Sequence, residues 1–205
     1  MTVIGTVGLP GSGKGEAAAV AEEEGIPVVT MGDVIRQECR DRGLDPAEAH
    51  GEVATALREE NGPAAIAERS LPLVRERLAD HDTVLVDGLR SGVELDRFEA
   101  AFGDEFVLLS IEAPASVRRD RVESRGRDKG ADEGGESLDA RDERELGFGM
   151  GDAMERADVV VDNVDTLEAF RRRVRRLLRE GPEALDGEDS VELRVDAEER
   201  PEAER

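Results

Sequence analysis

The sequence predicts an α/β fold with a parallel sheet, and two observations carry that prediction. Short apolar runs, most of them rich in β-branched residues, recur along the chain, and helical patterns lie between them. Strands that alternate with helices form a parallel sheet through right-handed crossovers, with helices on both faces. We therefore expect a three-layer domain over residues 1–180 with a five-stranded parallel sheet. The five runs are TVIGTV (2–7), IPVVT (26–30), TVLVDG (83–88), FVLLSIEAP (106–114) and ADVVVDN (157–163).

Two segments between these runs are longer than simple connections. About fifty residues of mainly helical pattern separate the second and third runs, more than one crossover helix needs. They predict a small helical subdomain at about 33–80 beside the sheet. Residues at about 118–150 are rich in Arg, Asp and Gly and poor in apolar side chains, which predicts a mobile, arginine-rich lid.

The last helical pattern, LEAFRRRVRRLL, carries apolar residues on one face and six arginines between 171 and 179 on the other. Such a helix either docks on the sheet with a solvated basic face or binds a membrane or a partner. Residues 181–205 hold ten acidic residues against three arginines and predict a flexible acidic tail, in which SVELRV is a candidate edge strand. The apolar stripe consists of Leu167, Phe170, Val174, Leu177 and Leu178.

The charge balance excludes one class of function and suggests an environment. The chain has 50 acidic and 28 basic residues and therefore a net charge of −22, which argues against general nucleic-acid binding. An acidic surface is tolerated best where salt screens its self-repulsion, so we expect a halophilic protein. Cys39 is the single cysteine, no apolar run approaches a membrane span, and the chain starts directly with a strand. These features favour a reducing cytoplasm.

Lysine is almost absent, since 26 of the 28 basic residues are arginine and only Lys14 and Lys129 are lysine. Lys14 lies in a glycine-rich segment. A compact ammonium follows a phosphate as a point charge, which a planar guanidinium does not reproduce. Lys14 is therefore the first candidate for a catalytic cation.

The pattern G-x-x-x-x-G-K stands directly after the first apolar run and directly before a helical pattern, the context that this phosphate-binding motif requires. Backbone amides of such a loop and the helix N-terminus bind phosphate oxygens, and the lysine reaches the outer phosphates. The sequence therefore predicts a nucleotide site. Its residues are Gly8, Leu9, Pro10, Gly11, Ser12, Gly13, Lys14 and the following Gly15.

Gly15 stands where most such loops place a Ser or Thr ligand for Mg²⁺, so Mg²⁺ would have to be held through water and by carboxylates elsewhere. With Gly after the lysine, the loop resembles adenylate kinase and its nucleoside monophosphate kinase relatives. Those relatives usually continue with Thr, whereas this chain has Glu16. Glu16 either helps to hold metal-bound water or simply stabilises the first helical turn by its charge.

Two further segments resemble the same kinases. MGDVIR is similar to their G-D-x-x-R motif, which implies that Arg36 grips the phosphate of an acceptor and that Asp33 starts a helix. VLVDGLR is similar to their D-G-x-x-R motif, with the arginine one residue closer. The resemblance implies that Asp87 orients water bound to Mg²⁺ and that Arg90 joins Arg36. Independently of it, Asp87 ends a strand at the edge where α/β proteins bind ligands.

The lid of these kinases carries arginines that stabilise the transferring phosphoryl group. Arg125 and Arg127 resemble its first pair, and Arg141 and Arg144 resemble its closing pair. We take Arg127 as a catalytic candidate and the closing pair as candidates for substrate binding. In a chain so rich in arginine, each of them is also a candidate for an ordinary surface ion pair.

ADVVVDNVDTLEAFRRRV is similar to the last strand and helix of dephospho-CoA kinase, which implies that Asn163 lies near the adenine base. In that enzyme an Asp after the second strand acts as a base on a ribose hydroxyl, and Asp33 has the matching place. As a whole, residues 2 to about 179 resemble an archaeal group of P-loop proteins described as dephospho-CoA-kinase-like or nucleotide-kinase-like. His50 and His81 are isolated, and we expect them to be solvated.

Two functions remain open at this point. The first is a kinase that uses ATP and Mg²⁺ to phosphorylate a nucleotide-like acceptor, either a nucleoside monophosphate or a dephospho-CoA-type hydroxyl. The second is a nucleotide-binding regulator or assembly factor with slow ATPase activity. The resemblance supports nucleotide binding more directly than it supports any acceptor.

Overall fold

All five predicted apolar runs form strands in the computed structural model, which describes residues 1–124, 137–187 and 191–193. The sheet has the order β2-β3-β1-β4-β5-β6, and the first five strands are parallel. The short β6 lies within the candidate edge strand SVELRV and pairs antiparallel with β5, which adds a sixth strand to the five-stranded parallel sheet. The strands are β1 (Thr2–Val7), β2 (Val28–Thr30), β3 (Thr83–Asp87), β4 (Phe106–Glu112), β5 (Val159–Asp162) and β6 (Val191–Leu193).

Helices cover both faces of the sheet, as predicted. Side chains alternate along each strand, so Val84 and Val86 of β3 pack on one face while Leu85 packs on the other. Helices α1 and α9 cover the Leu85 face, and α2, α4, α5 and α8 cover the opposite face. The described helices are α1 (Lys14–Glu23), α2 (Met31–Asp41), α3 (Pro46–Asn61), α4 (Ala65–Leu78), α5 (Gly92–Phe102), α6 (Ala115–Ser124), α7 (Leu138–Gly147), α8 (Met150–Glu155) and α9 (Leu167–Glu180).

Helices α2, α3 and α4 lie between β2 and β3, where the sequence predicts a helical subdomain, and their division from the sheet as a separate subdomain stays a prediction. Asp45 caps α3 by accepting a hydrogen bond from the Ala47 amide at 2.9 Å, and Pro46 occupies the first helical position, where a missing N–H is harmless. The segment predicted as a lid contains α6 and α7, while residues 125–136 between these helices lie outside the described part.

The C-terminal helix α9 docks on the sheet, as the first of its two interpretations requires. Its apolar stripe is buried, except that Leu167 at the first helical position is 57% exposed. Its arginines meet acids at the C-terminal end of α1, since Arg175 Nε lies 2.7 Å from Oε1 of Glu24, the residue that follows the helix. Part of the predicted acidic tail is also ordered, because Leu185 is fully buried in a short 3₁₀ turn and β6 follows it.

Across the described residues, we find no helix with the length and apolar character needed to span a bilayer.

Candidate functional site

A cleft of about 570 Å³ opens at the carboxyl edge of the parallel strands. One wall is the glycine loop after β1, and the other is built from α2, α3, the segment after β3 and α7. Five loop residues line the cleft, whereas Gly8, Leu9 and Ser12 do not. The cleft-lining loop residues are Pro10, Gly11, Gly13, Lys14 and Gly15.

The loop conformation depends on glycine, most clearly at Gly13. Its φ of 125° lies in a region that side chains disfavour, and an added Cβ would collide with the Asn163 carboxamide. Helix α1 starts at the next residue, so its unpaired amides and its dipole face the cleft. Gly15 differs, because nothing lies within 4 Å of a Cβ placed there.

Lys14 is half-buried in the cleft, where its ammonium donates hydrogen bonds to the carbonyls of Gly8 and Leu9. Burial lowers the pKa of Lys14, and the nearby Asp87 carboxylate opposes that shift. A phosphate in the cleft would supply the missing negative charge and stabilise the ammonium form. Lys14 thus lies in the cleft beside the glycine loop, and its catalytic role stays a prediction.

Asp87 lies at the end of β3 and lines the same cleft, with the buried Thr6 hydroxyl donating a hydrogen bond to its Oδ1 at 3.0 Å. The described residues contain no group of three or more His, Cys, Asp or Glu side chains placed to hold a metal. Mg²⁺ usually keeps several waters and needs only one or two carboxylates beside the phosphates of a nucleotide. A fixed carboxylate beside the phosphate loop fits Mg²⁺ held in that way.

Three side chains hold the loop from beneath. The Asn163 carboxamide donates to the Ser12 carbonyl at 2.8 Å, and Arg121 donates to the same carbonyl at 3.2 Å. Arg118 donates to the Pro10 carbonyl at 3.0 Å. The structure thus gives Asn163 a part in shaping the loop, where it is buried, and its predicted contact with a base stays a prediction. Sequence reasoning missed Arg118 and Arg121, which carry no motif in a chain with 26 arginines.

Arg36 lines the opposite wall of the cleft, as predicted for an acceptor-binding residue. Asp33, one turn earlier on α2, accepts from Arg36 Nε at 2.8 Å and from Nη2 at 2.5 Å. The Asp33 side chain is 62% exposed and is absent from the cleft wall. In this arrangement Asp33 orients Arg36, and its role as a base stays a prediction.

Arg90 and Arg58 also line this wall, and buried carboxylates hold both of them. Arg90 Nη1 donates to Glu145 at 2.7 Å. Glu94, which is 1% exposed, accepts from Arg58 at 3.1 Å and from the Arg90 amide at 2.9 Å. Arg58 further lies 5.4 Å from the centre of the Phe148 ring. Arg90 therefore still lines the cleft, although it is one residue closer to Asp87 than the arginine of the related kinase motif.

Of the predicted lid arginines, Arg141 lines the cleft and Arg144 does not. Arg125 and Arg127 lie outside the described residues, so their predicted roles stay predictions. His50 lines the cleft beside α2 and is half-buried, so it is less solvated than the sequence predicts. Burial, then the Arg36 and Arg90 cations, lower the pKa of His50 and favour its neutral form.

Glu16 is explained by a contact that sequence reasoning did not foresee. Its carboxylate pairs with Arg171 of α9, on the side of α1 away from the cleft wall. This ion pair ties the first helix to the last. The structure thus favours a structural role for Glu16 over the holding of metal-bound water.

A glycine loop with its lysine in the cleft, a strand-end aspartate and a parallel sheet define a P-loop protein with a kinase-like fold. A family model described as an AAA domain matches residues 7–139. Two solved structures share the fold: a gluconokinase from Sinorhizobium meliloti 1021 and a shikimate kinase from Bacteroides thetaiotaomicron. The first has a TM-score of 0.53 at 19% identity, covering 84% of this chain and 89% of that one. The second has a TM-score of 0.54 at 16% identity, covering 86% and 98%.

A UPF0200 protein of Halobacterium salinarum is 60% identical over 178 residues, which cover 87% of this chain and 93% of the relative. The chain belongs to the UPF0200 family, and its relatives include proteins from haloarchaea and methane-producing genera such as Methanosarcina. Family membership confirms the archaeal P-loop group that the sequence resembles. Halophilic behaviour and a cytoplasmic location stay predictions.

Proposed function

We propose that the protein is a kinase that transfers the γ-phosphoryl group of ATP to a small nucleotide-like acceptor carrying its own phosphate. One observation carries the proposal. A single cleft has the phosphate loop with Lys14 on one wall and, facing it, arginines from four separate elements. In a chain of net charge −22, such a concentration of cations favours anionic ligands on both walls. The four arginines are Arg36, Arg58, Arg90 and Arg141.

Each residue has a defined task in this proposal. The loop amides and Lys14 bind the outer phosphates of ATP, and Asp87 would hold Mg²⁺ through water. When bound, Mg²⁺ offsets the charge of the phosphates. Arg36 and Arg90 bind the acceptor phosphate, and Arg141 reaches the charge that develops on the transferring group. Phosphoryl transfer requires chiefly positioning and charge stabilisation, which these residues supply.

The pairing of Asp33 with Arg36 supports an acceptor that carries a phosphate over one that only offers a hydroxyl. Both hydrogen bonds from Arg36 reach Oδ1 of Asp33, and Asp33 does not line the cleft in which the acceptor would lie. A general base instead requires a free lone pair within reach of the hydroxyl proton. A nucleoside monophosphate therefore fits the geometry better than a dephospho-CoA-type acceptor.

An acceptor screen with γ-³²P-labelled ATP tests the proposal. Nucleoside monophosphates and dephospho-CoA serve as acceptors, and we expect a labelled small molecule. Lys14→Met should lower transfer by about 10³-fold, because the positive charge at the transferring group is lost. Consumption of ATP without any labelled small molecule, together with stimulation by a protein or RNA, would instead select the regulator.

Asp33→Asn separates the two kinds of acceptor. If Asp33 only orients Arg36, the variant should weaken transfer to a phosphate by about tenfold. If Asp33 is a base, transfer to a hydroxyl should fall by about 10²–10⁴-fold. Equal, modest losses for every acceptor would exclude the hydroxyl chemistry.

A further inference from the structure

Two Arg–Asp pairs join α6 to α7, and they differ in burial. Arg119 Nη2 lies 3.1 Å from Asp139 Oδ1 at the surface, where the side chains are 51% and 73% exposed. Arg118 makes a two-pronged pair with Asp142, at 2.8 and 2.7 Å, with side chains only 5% and 16% exposed. An exposed ion pair is enough to connect two helices. The burial of the Arg118 guanidinium in the second pair therefore requires a further explanation.

Arg118 also contacts the phosphate loop. Its Nη1 donates to the Pro10 carbonyl at 3.0 Å, and its Nε donates to the Ala113 carbonyl after β4 at 3.1 Å. The backbone of Arg118 lies against Gly11, where an added Cβ would be 3.0 Å from the Arg118 carbonyl oxygen. One planar side chain therefore joins the loop, the end of β4 and α7. Within the described residues, Arg119 hydrogen-bonds Asp139 and no part of the loop.

Helix α7 connects in turn to the other wall of the cleft. Asp142 and Glu145 stand three residues apart and so share one face of the helix. Glu145 accepts a hydrogen bond from Arg90 at 2.7 Å, and Arg141 beside Asp142 lines the cleft. Two contacts thus fix the position of α7. Arg118 connects it to the phosphate loop, and Arg90 connects it to the wall of the cleft that faces the loop, which we call the acceptor wall because the proposed function assigns the acceptor to it.

We propose that Arg118 is a positioning residue, which through Asp142 holds α7 and its Arg141 in a fixed place relative to the phosphate loop. The guanidinium suits this task because its donors form a rigid fork that serves a carboxylate and two carbonyls at once, which a lysine cannot do. The catalytic consequence of this coupling rests on the proposed function, whereas the coupling itself does not.

The test compares Asp142→Asn with its matched control Asp139→Asn. Both variants remove one carboxylate charge from α7 and keep the size of the side chain, and Arg118 retains its contact with Pro10. In Asp142→Asn, amide exchange at Ser12, whose N–H donates to the Leu9 carbonyl within the loop, should rise about tenfold while exchange in β1 stays unchanged. In the control, both rates should stay within about twofold of the parent protein.

The second measurement is the turnover number, kcat, of the same variants. We expect Asp142→Asn to lower kcat for phosphoryl transfer, or for ATP hydrolysis, by about 10–100-fold. Its Kd for Mg·ATP, measured by titration calorimetry, should change less than about threefold, since the loop amides and Lys14 remain. A merely structural pair would instead raise exchange throughout the domain and change kcat only in proportion to the folded fraction.

Arg118→Lys supplies an independent check by additivity. If the two residues act as one unit, the double variant Arg118→Lys/Asp142→Asn should be no slower than the slower single variant. Equal effects of Asp142→Asn and Asp139→Asn, or additive losses in the double variant, would overturn the proposal. Should the parent protein fail to bind Mg·ATP, the proposed function is wrong, and the exchange comparison still decides whether Arg118 couples α7 to the loop.

Discussion

The two walls of the cleft are built in different ways. The donor wall is one continuous stretch of chain, the loop from Gly8 to Gly15, whose shape comes from glycine backbone angles and the start of α1. The acceptor wall is assembled from side chains on separate elements that meet only in the folded protein. Its arginines are held by carboxylates, among them the buried Glu94 and Glu145.

This difference separates two kinds of dependence. The donor wall depends on backbone conformation, so it is sensitive to small changes of shape at single glycines. The acceptor wall depends on charge pairs, so it is sensitive to the loss of single charges. The predictions below test this contrast at each wall.

The largest effect is expected at the donor wall, from Gly13→Ala compared with Gly15→Ala. Alanine at Gly13 meets a φ of 125° and the Asn163 side chain, so the free energy of unfolding should fall by about 2–4 kcal/mol and nucleotide binding should be lost. Alanine at Gly15 has open space within a helix and should stabilise by up to about 1 kcal/mol. Far-UV circular dichroism during urea unfolding measures both, since the chain lacks Trp and Tyr. Similar losses in both variants would contradict the dependence on backbone conformation.

At the acceptor wall, Glu94→Gln should lower the free energy of unfolding by about 2 kcal/mol, because it leaves Arg58 without its buried partner charge. Glu68→Gln on α4 is the control, since Glu68 pairs with Arg97 at 3.2 Å in an exposed position and should change stability by less than about 0.5 kcal/mol. The same urea unfolding curves measure both variants. Equal changes would show that burial of the charge pair contributes nothing.

The smallest effect is a shift in the titration of His50. Its pKa is held below the usual value by burial and by the Arg36 and Arg90 cations, so an anion bound to those arginines should raise it. Because the pKa of His50 is lower in the folded protein than in the unfolded chain, His50 contributes stability at pH values above the usual histidine pKa. This contribution is lost as the pH falls through the lowered pKa of the folded protein. For the same reason sulfate, which does not titrate in this range, should bind more tightly at lower pH.

Histidine NMR signals followed against pH, with and without sulfate, measure this shift. His81 is the only other histidine in the chain and serves as the internal reference. Arg36→Gln should by itself move the pKa of His50 upward and weaken the response to sulfate. A sulfate response equal at His50 and His81 would contradict an anion site on the acceptor wall.

The sequence predicts the donor wall, and the alternation of strands and helices along the chain, better than it predicts the acceptor wall. A contiguous motif fixes the loop, and Asp87 is recognisable because it ends an apolar strand. Glu94 and Arg118 carry no such signal, because in a chain with 38% charged residues each of them looks like part of a solvated surface. Their burial follows from how distant helices meet, which periodicity along one helix does not encode.

Asn163, Arg118 and Arg121 hold the carbonyls of Pro10 and Ser12 through hydrogen bonds that the chain itself supplies. The conformational entropy of the loop is therefore lost when the chain folds rather than when a nucleotide arrives. A pre-organised loop binds with little induced fit, and its affinity is not reduced by a cost of ordering at that moment. Under the proposed function, association with nucleotide would be limited by encounter and by release of water, and selectivity would depend on the acceptor wall.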